Sequence, residues 1–263
     1  MKAEVRAKAA TSRPKRLPGL TVKDGYTVHP FDKRFGVRTS GLIAGRHLKS
    51  GHRHDRHSTA YFGVAPSVFA ALMRRWKRLN PAPSVEETVF VDVGAGMGRA
   101  VLLAAEMPFR EVVGIELNPV LAQIARRNLA KWRATGRVRA GKVRIVEGDA
   151  VEFRLPAMAS VAFLFNPFGR PVLKRLLTKW REILATQANR LDLIYVNNEH
   201  ESLLGETAGF TRLFLGKVAR SRVDAIADHK IMANQPEGEY TSSNFEDCSI
   251  WRWKGLGKRN SAR

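Results

Sequence analysis

Three glycines that follow a short apolar run form the most informative pattern in the chain. The segment VFVDVGAGMGRA places Gly94, Gly96 and Gly98 directly after a predicted buried strand and at the start of a predicted helix. Glycines at such a turn let the backbone bend tightly and approach a bound molecule closely. The spacing is G-x-G-x-G, whereas the dinucleotide fingerprint G-x-G-x-x-G would need glycine where Arg99 stands. The phosphate-binding pattern G-x-x-x-x-G-K-[ST] is also missing. The loop therefore predicts a binding site without a phosphate cradle.

Two carboxylates follow the next two predicted strands. Glu116 ends the second strand, 22 residues after Gly94, and a carboxylate there can accept hydrogen bonds from both hydroxyls of a ribose. Asp149 follows the third strand and can accept from an adenine amino group, while the backbone of Ala150 meets the edge of the ring. Because the ends of successive parallel strands share one crevice, these features together predict a nucleoside-binding site.

The motifs DVGAGMG, GIELNP and GDAVEF, in this order and spacing, resemble the first three motifs of the class I S-adenosylmethionine-dependent methyltransferases. The resemblance covers about Tyr61 to Trp253 and implies a seven-stranded sheet with S-adenosyl-L-methionine as the cofactor. It implies that Glu116 and Leu117 lie at the ribose, that Asp149 and Ala150 hold the adenine, and that Asp92 orders the glycine loop near the cofactor's amino group. It also implies a lining for the methionine part of the cofactor: Gly94, Ala95, Gly96 and Gly98.

The fourth predicted strand ends in Asn-Pro-Phe-Gly at 166–169, and in the resembling family this position faces the transferred methyl group. Family members that methylate amino nitrogens often carry Asn/Asp-Pro-Pro-Tyr/Phe here. This chain lacks the second proline, so Phe168 occupies its place. The resemblance implies that Asn166 touches the cofactor or the acceptor, with Phe168 and Tyr61 as further candidate catalytic residues. The structural alternative is that Asn-Pro only forms a turn.

Further polar residues follow the fifth predicted strand. Glu199 or His200 is a candidate general base for deprotonating the acceptor, whereas helix capping by Asn198 is the structural alternative. An apolar pocket would also help, because desolvation lowers the pKa of an amine acceptor.

These residues need a parallel sheet to bring them together. Short apolar runs alternate with segments of helical periodicity, which predicts an α/β fold: a doubly wound, mostly parallel seven-stranded sheet with one antiparallel strand and helices on both faces. The last two strands are predicted to pair antiparallel, joined by a long loop without a helix. The predicted strands are 89–93, 112–116, 142–147, 161–165, 191–196, 211–218 and 248–253. The predicted helices are 65–79, 98–107, 119–132, 171–185 and 199–207.

Charge is the unusual feature of the composition. Among 263 residues, 45 are Lys or Arg and 24 are Asp or Glu, for a net charge of +21. Two thirds of the excess lies on the flanks, which predicts a basic, partly disordered N-terminal extension at 1–60 and a basic C-terminal tail at 254–263. The resemblance implies a methyltransferase domain between them, at 61–253. An N-terminal arm over 1–20 is a candidate polyanion contact. The single cysteine, together with the absence of a secretory signal or membrane-spanning run, predicts a cytoplasmic protein.

Four histidines cluster in GRHLKSGHRHDRH at 45–57. Imidazoles are metal ligands, but the interleaved arginines would repel a cation, so we expect a solvated basic loop and no metal site.

The sequence thus predicts an S-adenosylmethionine-dependent methyltransferase that acts on a nitrogen, with a protein lysine as the favoured acceptor and nucleic acid as a second possibility. Two alternatives stay open: a methyltransferase for a small metabolite, and a basic nucleic-acid-binding protein with a vestigial cofactor pocket.

Overall fold

A seven-stranded sheet forms the centre of the protein. The computed structural model describes residues 27–81, 83–186, 190–234 and 240–256; residues 1–20 and most of 254–263 lie outside this part. The strands are β3 (Val89–Val93), β4 (Glu111–Glu116), β5 (Lys142–Glu147), β6 (Ser160–Phe165), β7 (Leu191–Val196), β8 (Phe210–Ala219) and β9 (Phe245–Trp253). Their order is β5-β4-β3-β6-β7-β9-β8, and β9 alone runs antiparallel to its neighbours. The predicted fold class is confirmed.

Helices cover both faces of the sheet, because alternate residues of the buried strands point to opposite sides. On one face, Phe90 and Phe163 pack with Phe69 and Trp132. That face carries α2 (Pro66–Arg78), α3 (Arg99–Ala105) and α4 (Pro119–Ala134). The other face carries α5 (Arg170–Thr186) and α6 (Ser202–Glu206). Trp251 and Trp253 both pack there, as their alternation in the sequence predicts.

The structure contains elements that the sequence did not indicate. A helix, α7 (Arg222–Ala233), lies between β8 and β9, so the prediction of a helix-free loop there was wrong. Ahead of the domain predicted to begin at 61, the chain forms α1 (Pro30–Phe35) and a two-stranded ribbon of β1 (Leu42–Ile43) with β2 (Tyr61–Phe62). Phe31 packs against Trp132 of α4, and Ile43 is buried in a cluster that includes Met97 and Leu121, so this part of the predicted extension packs against the glycine loop and α4.

The carboxyl ends of the central strands meet at one edge of the sheet. The strand order reverses there, since β3 lies between β4 and β6, and such a switch point opens a crevice for ligands. In the part of the chain that the structure describes, no helix combines the length and apolar character needed to cross a bilayer.

Candidate active site

One cavity opens at this switch point and has an empty volume of about 980 Å³, its open mouth included. It brings together ten of the twelve residues that the sequence singled out, from the loops after β3, β4, β5 and β6 and from β2. These ten are Tyr61, Asp92, Gly94, Ala95, Gly96, Glu116, Leu117, Asp149, Ala150 and Phe168. Gly98 and Asn166 lie beside the cavity and do not line it.

The glycine loop is held by the strand next to it and leaves no room for larger side chains. The backbone N–H groups of Gly94 and Ala95 both donate to the carbonyl of Ile115, at 2.9 and 2.8 Å. Gly96 has φ +54°, and a Cβ there would lie 2.2 Å from Cε2 of Tyr61. The loop therefore needs glycine for its left-handed backbone and for the close approach of the tyrosine ring.

Two buried carboxylates, Asp92 and Glu116, face this cavity without a cationic partner among the described residues. Desolvation, reinforced by the charge of Glu116, raises the pKa of Asp92 to about 8. Desolvation also raises the pKa of Glu116 to about 7, although the backbone N–H groups of Asn118 and Gly96 donate to it at 2.8 and 2.7 Å. A ligand with positive charge and hydroxyl donors would favour the ionised form of both groups.

Asn166 directly follows β6 with φ +39°, and its polar atoms are engaged inside the protein. Its Oδ1 accepts from the hydroxyl of Tyr195 at 3.2 Å, and its Nδ2 donates to Glu199 at 3.1 Å. The hydroxyl of Thr59 donates to its backbone carbonyl. Thus Asn166 fixes the turn after β6, and its neighbours Pro167 and Phe168 form the wall of the cavity.

Tyr61 lies at the opposite wall, where its ring packs on the glycine loop. Its hydroxyl donates to the backbone carbonyl of Thr39 at 2.7 Å, so the cavity meets the ring of Tyr61 rather than a free phenol. Phe168 is held by an isolated backbone bridge to Ser58. Both aromatic candidates are therefore fixed by the chain that precedes α2.

Arg99 is a site residue whose role the sequence analysis missed. It is 2% exposed and lines the cavity at the start of α3. Its guanidinium donates to Thr39 Oγ1 at 2.7 Å and to the carbonyl of Gly63 at 3.0 Å. Arg99 thereby ties the glycine loop to the segments before α2. A lone cation in the otherwise apolar helix RAVLLAA is the signal that could have revealed it.

His54 is the second missed residue, because the histidine cluster was expected to be solvated. The structure instead buries its ring beside Asp149 at the end of β5, with Nδ1 3.0 Å from Oδ2. The other oxygen of Asp149 accepts from the backbone N–H of Val151 at 2.9 Å. Both side chains line the cavity.

Comparisons with known proteins show which family model part of the chain matches. Residues 90–187 match a family model described as a methyltransferase domain. This match spans β3 to α5 and therefore includes the glycine loop, Glu116, Asp149 and Asn166. No curated protein sequence matches the chain.

Solved structures with a similar arrangement are distant in sequence. A candidate RNA methyltransferase from Pyrococcus horikoshii is 19% identical, with 73% of this chain and 83% of that chain covered and a TM-score of 0.47. The precorrin-6y C5,15-methyltransferase of Geobacter metallireducens GS-15 is 21% identical, with coverages of 68% and 87% and a TM-score of 0.43. The magnesium protoporphyrin IX methyltransferase of Synechocystis PCC 6803, solved with bound S-adenosylmethionine, is 11% identical, with coverages of 72% and 79% and a TM-score of 0.43.

The residues of the cavity suit a cofactor that carries positive charge, a ribose and an adenine: two buried carboxylates lack a cationic partner, and a glycine loop leaves space beside them. With the family match over 90–187, the chain contains a methyltransferase domain and is an S-adenosylmethionine-dependent enzyme, with S-adenosyl-L-methionine as its cofactor.

Proposed function

We propose that this methyltransferase transfers the methyl group to the amine nitrogen of a lysine side chain in a protein. The observation that carries the proposal is the aromatic and apolar wall at the end of β6, where Phe165, Pro167 and Phe168 line the cavity together with Tyr61.

The cofactor would occupy the cavity with its three parts on three loops. Glu116, beside Leu117, would accept from the ribose hydroxyls with the lone pairs that the backbone donors leave available. Asp92 would lie near the cationic methionine part, since its buried carboxylate has no cation of its own among the described residues. The adenine would lie at Asp149 and Ala150, and the glycine loop would line the methionine: Gly94, Ala95, Gly96 and Gly98.

The acceptor end of the cavity supports an aliphatic amine over a planar amino group. Recognition of a planar amino group needs hydrogen-bond acceptors that lie in its plane. Asn166, whose oxygens could supply them, does not line the cavity; its side-chain oxygen accepts from Tyr195 and its backbone oxygen accepts from Thr59. This end of the cavity offers aromatic surface instead, which attracts an ammonium group and excludes water from it.

The protein's part in transfer to lysine would be desolvation and orientation. When bound, S-adenosylmethionine supplies a methyl group that its sulfonium already activates. Burial against Phe165, Phe168 and Tyr61 would lower the pKa of the incoming lysine and favour its neutral, nucleophilic form. Glu199 is exposed and lies 3.1 Å from Asn166 Nδ2, so its carboxylate can attract the ammonium to the rim. Holding the amine in line with the methyl group would then supply most of the remaining rate enhancement.

Nucleic acid is the second candidate acceptor, and the charge of the chain favours it. Residues 1–60 hold 14 Lys or Arg against 4 Asp or Glu, and the whole chain has a net charge of +21. Such a distribution attracts a polyanion whatever the chemistry of the cavity.

A transfer assay on lysate fractions tests both candidates. The full chain is incubated with tritiated S-adenosylmethionine and separate protein, nucleic-acid and small-molecule fractions, with heat-inactivated enzyme as the control. We expect label in the protein fraction, resistant to nuclease and recovered after acid hydrolysis as ε-N-methyllysine. Nuclease-sensitive label would replace the lysine proposal by the second candidate, and label only in small molecules would contradict both.

A further inference from the structure

A segment that lies mostly in the predicted N-terminal extension lines the cofactor cavity. We call residues 50–62 the strap. It is anchored beyond the cavity because the N–H of Gly169 donates to the carbonyl of His57 at 2.9 Å and Ser58 pairs with Phe168. His54, Ser58, Thr59 and Tyr61 of the strap all line the cavity. The strap is thus part of the cofactor site.

Asp55 shapes the first turn of the strap. Its carboxylate accepts from the backbone N–H and the hydroxyl of Ser50, at 2.8 and 2.6 Å, and from the N–H of Gly51 at 2.8 Å. It also accepts from the N–H of His52 at 3.1 Å. Four hydrogen bonds to one carboxylate fix the backbone that carries the next two histidines. This turn directs the side chains of His52 and His54 towards Asp149.

The tautomer of His54 follows from its partner on α5. Its Nε2 lies 3.2 Å from Nη1 of Arg175, and a guanidinium has only donors, so Nε2 must accept. A neutral imidazole then carries its proton on Nδ1, which lies 3.0 Å from Oδ2 of Asp149. The two atoms are buried and form no well-directed hydrogen bond with each other or with any other described residue. They remain as one donor and one acceptor, side by side in the cavity.

A metal ion is the other ligand that this cluster could suggest. His52 Nε2, His54 Nδ1 and Asp149 Oδ2 lie within 4.8 Å of one another. Metal binding needs a lone pair on both nitrogens. The N–H of His54 donates to His52 Nδ1 at 3.2 Å, which places the proton of His52 on Nε2, and Arg175 places that of His54 on Nδ1. If both histidines bound a metal ion, the proton of each ring would move to its other nitrogen. That N–H would then face another hydrogen-bond donor, Arg175 for His54 and the backbone N–H of His54 for His52. The hydrogen bonds of the cluster therefore disfavour a metal ion.

We propose that His54 is a specificity-determining residue of the cofactor site: its Nδ1–H and the Oδ2 of Asp149 together read the amino edge of adenine. The amino group is a donor and the ring nitrogen next to it is an acceptor, which complements the pair. A base with a carbonyl in place of the amino group presents the opposite pattern. This inference rests on the cofactor assignment and on Asp149 lying at the adenine; it is independent of the methyl acceptor.

The test compares two ligands by calorimetry on the full chain. S-adenosylhomocysteine keeps adenine, whereas S-inosylhomocysteine carries the carbonyl base. We expect wild type to bind the adenine ligand at least about a hundredfold more tightly. His54→Ala should lose about tenfold in affinity for S-adenosylhomocysteine and most of the discrimination between the two ligands. His54→Asn, whose amide N–H can take the place of Nδ1–H, should restore much of both. His229→Ala, an exposed histidine of α7 outside the cavity, is the matched control and should behave as wild type.

The ratio of the affinities for S-adenosylhomocysteine and S-inosylhomocysteine distinguishes recognition of the base by His54 from a merely structural role. A variant that only disturbs the strap weakens both ligands equally and leaves the ratio unchanged, and that outcome would overturn the proposal. Stoichiometric zinc binding by wild type that His54→Ala abolishes would also overturn it, in favour of a metal site. Failure of wild type to bind S-adenosylhomocysteine at all would overturn it by removing the cofactor assignment. Circular dichroism checks that each variant is folded.

Discussion

At the scale of single residues, Glu116 is expected to contribute most to cofactor binding. Its two oxygens hold the backbone of Gly96 and Asn118 and face the cavity, so it both shapes the site and offers acceptors for the ribose. Glu116→Ala should weaken the binding of S-adenosylhomocysteine at least about tenfold, because a hydrogen bond to a charged group contributes about 1.5–3 kcal/mol. Isothermal titration calorimetry measures this affinity.

Glu111→Ala is the matched control, since Glu111 begins the same strand and pairs with Arg144 at 2.7 Å outside the cavity. Its affinity should stay within about twofold of wild type. Equal affinities for both variants would remove Glu116 from the cofactor site.

The raised pKa values of Asp92 and Glu116 predict how stability without cofactor depends on pH. Their folded pKa values, about 8 and about 7, lie above the ordinary pKa values of 3.8 for aspartate and 4.5 for glutamate. Between these limits the folded state holds more protons than the unfolded state. The free energy of unfolding should therefore fall as pH rises from about 5 to about 8, by up to about 1.4 kcal/mol per pH unit for each titrating group.

Urea denaturation at pH 5 and pH 8 measures this change, and Asp92→Asn should reduce it. Burial also raises the pKa of Asp228 to about 7, so some of the dependence will persist in the variant. The prediction would be contradicted if the free energy of unfolding changed equally between pH 5 and pH 8 in Asp92→Asn and in wild type.

Asn166 is expected to affect transfer and not cofactor affinity. Its side chain joins Tyr195 and Glu199 and does not line the cavity, but it sets the turn that presents Phe168. Asn166→Ala should lower the rate of methyl transfer at least about tenfold and leave the affinity for S-adenosylhomocysteine within about twofold, because misplaced walls misalign the acceptor.

Asn80→Ala is the control for replacing an asparagine that has a left-handed backbone conformation. Asn80 has φ +48° just after α2, away from the cavity. A fully active Asn166→Ala would show that the loop after β6 is a turn without a role in the reaction.

At the scale of elements, the contact between the strap and the glycine loop holds the cavity together. Gly96→Ala would place a Cβ 2.2 Å from the ring of Tyr61, so the strap or the loop must move. We expect more than about tenfold loss of affinity for S-adenosylhomocysteine and a lower melting temperature. Gly136→Ala imposes a similar backbone cost at φ +68°, about 1–2 kcal/mol, with no atom within 4 Å of the new Cβ.

Gly136→Ala should therefore lose stability while keeping the affinity of wild type. If both glycine variants bound the cofactor equally, the close approach of Tyr61 would have no part in the site.

The elements that sequence patterns could predict are those whose partners are apolar and periodic. The central strands are continuous apolar runs between glycine turns, so their bounds agree with the structure to within about one residue. By contrast, α7 buries Asp224 and Asp228, which hydrophobic periodicity counts as solvent-facing. Asp228 forms an ion pair with Arg220 at 3.2 Å, a contact that no local sequence pattern predicts.

The gathering of the candidate cofactor residues around one cavity was predictable for the same reason, because they follow successive strands. The strap was not, since His54 is buried through contacts with Asp149 and Arg175, about a hundred residues further along the chain. A histidine next to arginines is indistinguishable in sequence from a solvated one, and only the tertiary contact decides its role.

At the scale of the whole molecule, charge is distributed unevenly between the flanks and the core. Residues 61–253 have a net charge of +7, whereas residues 1–60 carry +10. Long-range attraction to a polyanion depends on this distribution and on salt, and not on the cofactor. Acceptor capture and methyl transfer are therefore expected to be separable.

Deleting residues 1–20 tests this separation, because they contain six of the cations: Lys2, Arg6, Lys8, Arg13, Lys15 and Arg16. Each phosphate contact that is lost should make the plot of log affinity against log salt less steep by about 0.9 for duplex DNA or about 0.7 for single strands. We expect the truncated chain to bind single-stranded RNA more weakly and with a flatter slope, measured by fluorescence anisotropy between 50 and 200 mM salt. Its affinity for S-adenosylhomocysteine should be unchanged. Equal slopes for the two chains would assign any polyanion contact to the folded domain, and a loss of cofactor affinity would mean that the arm belongs to the site.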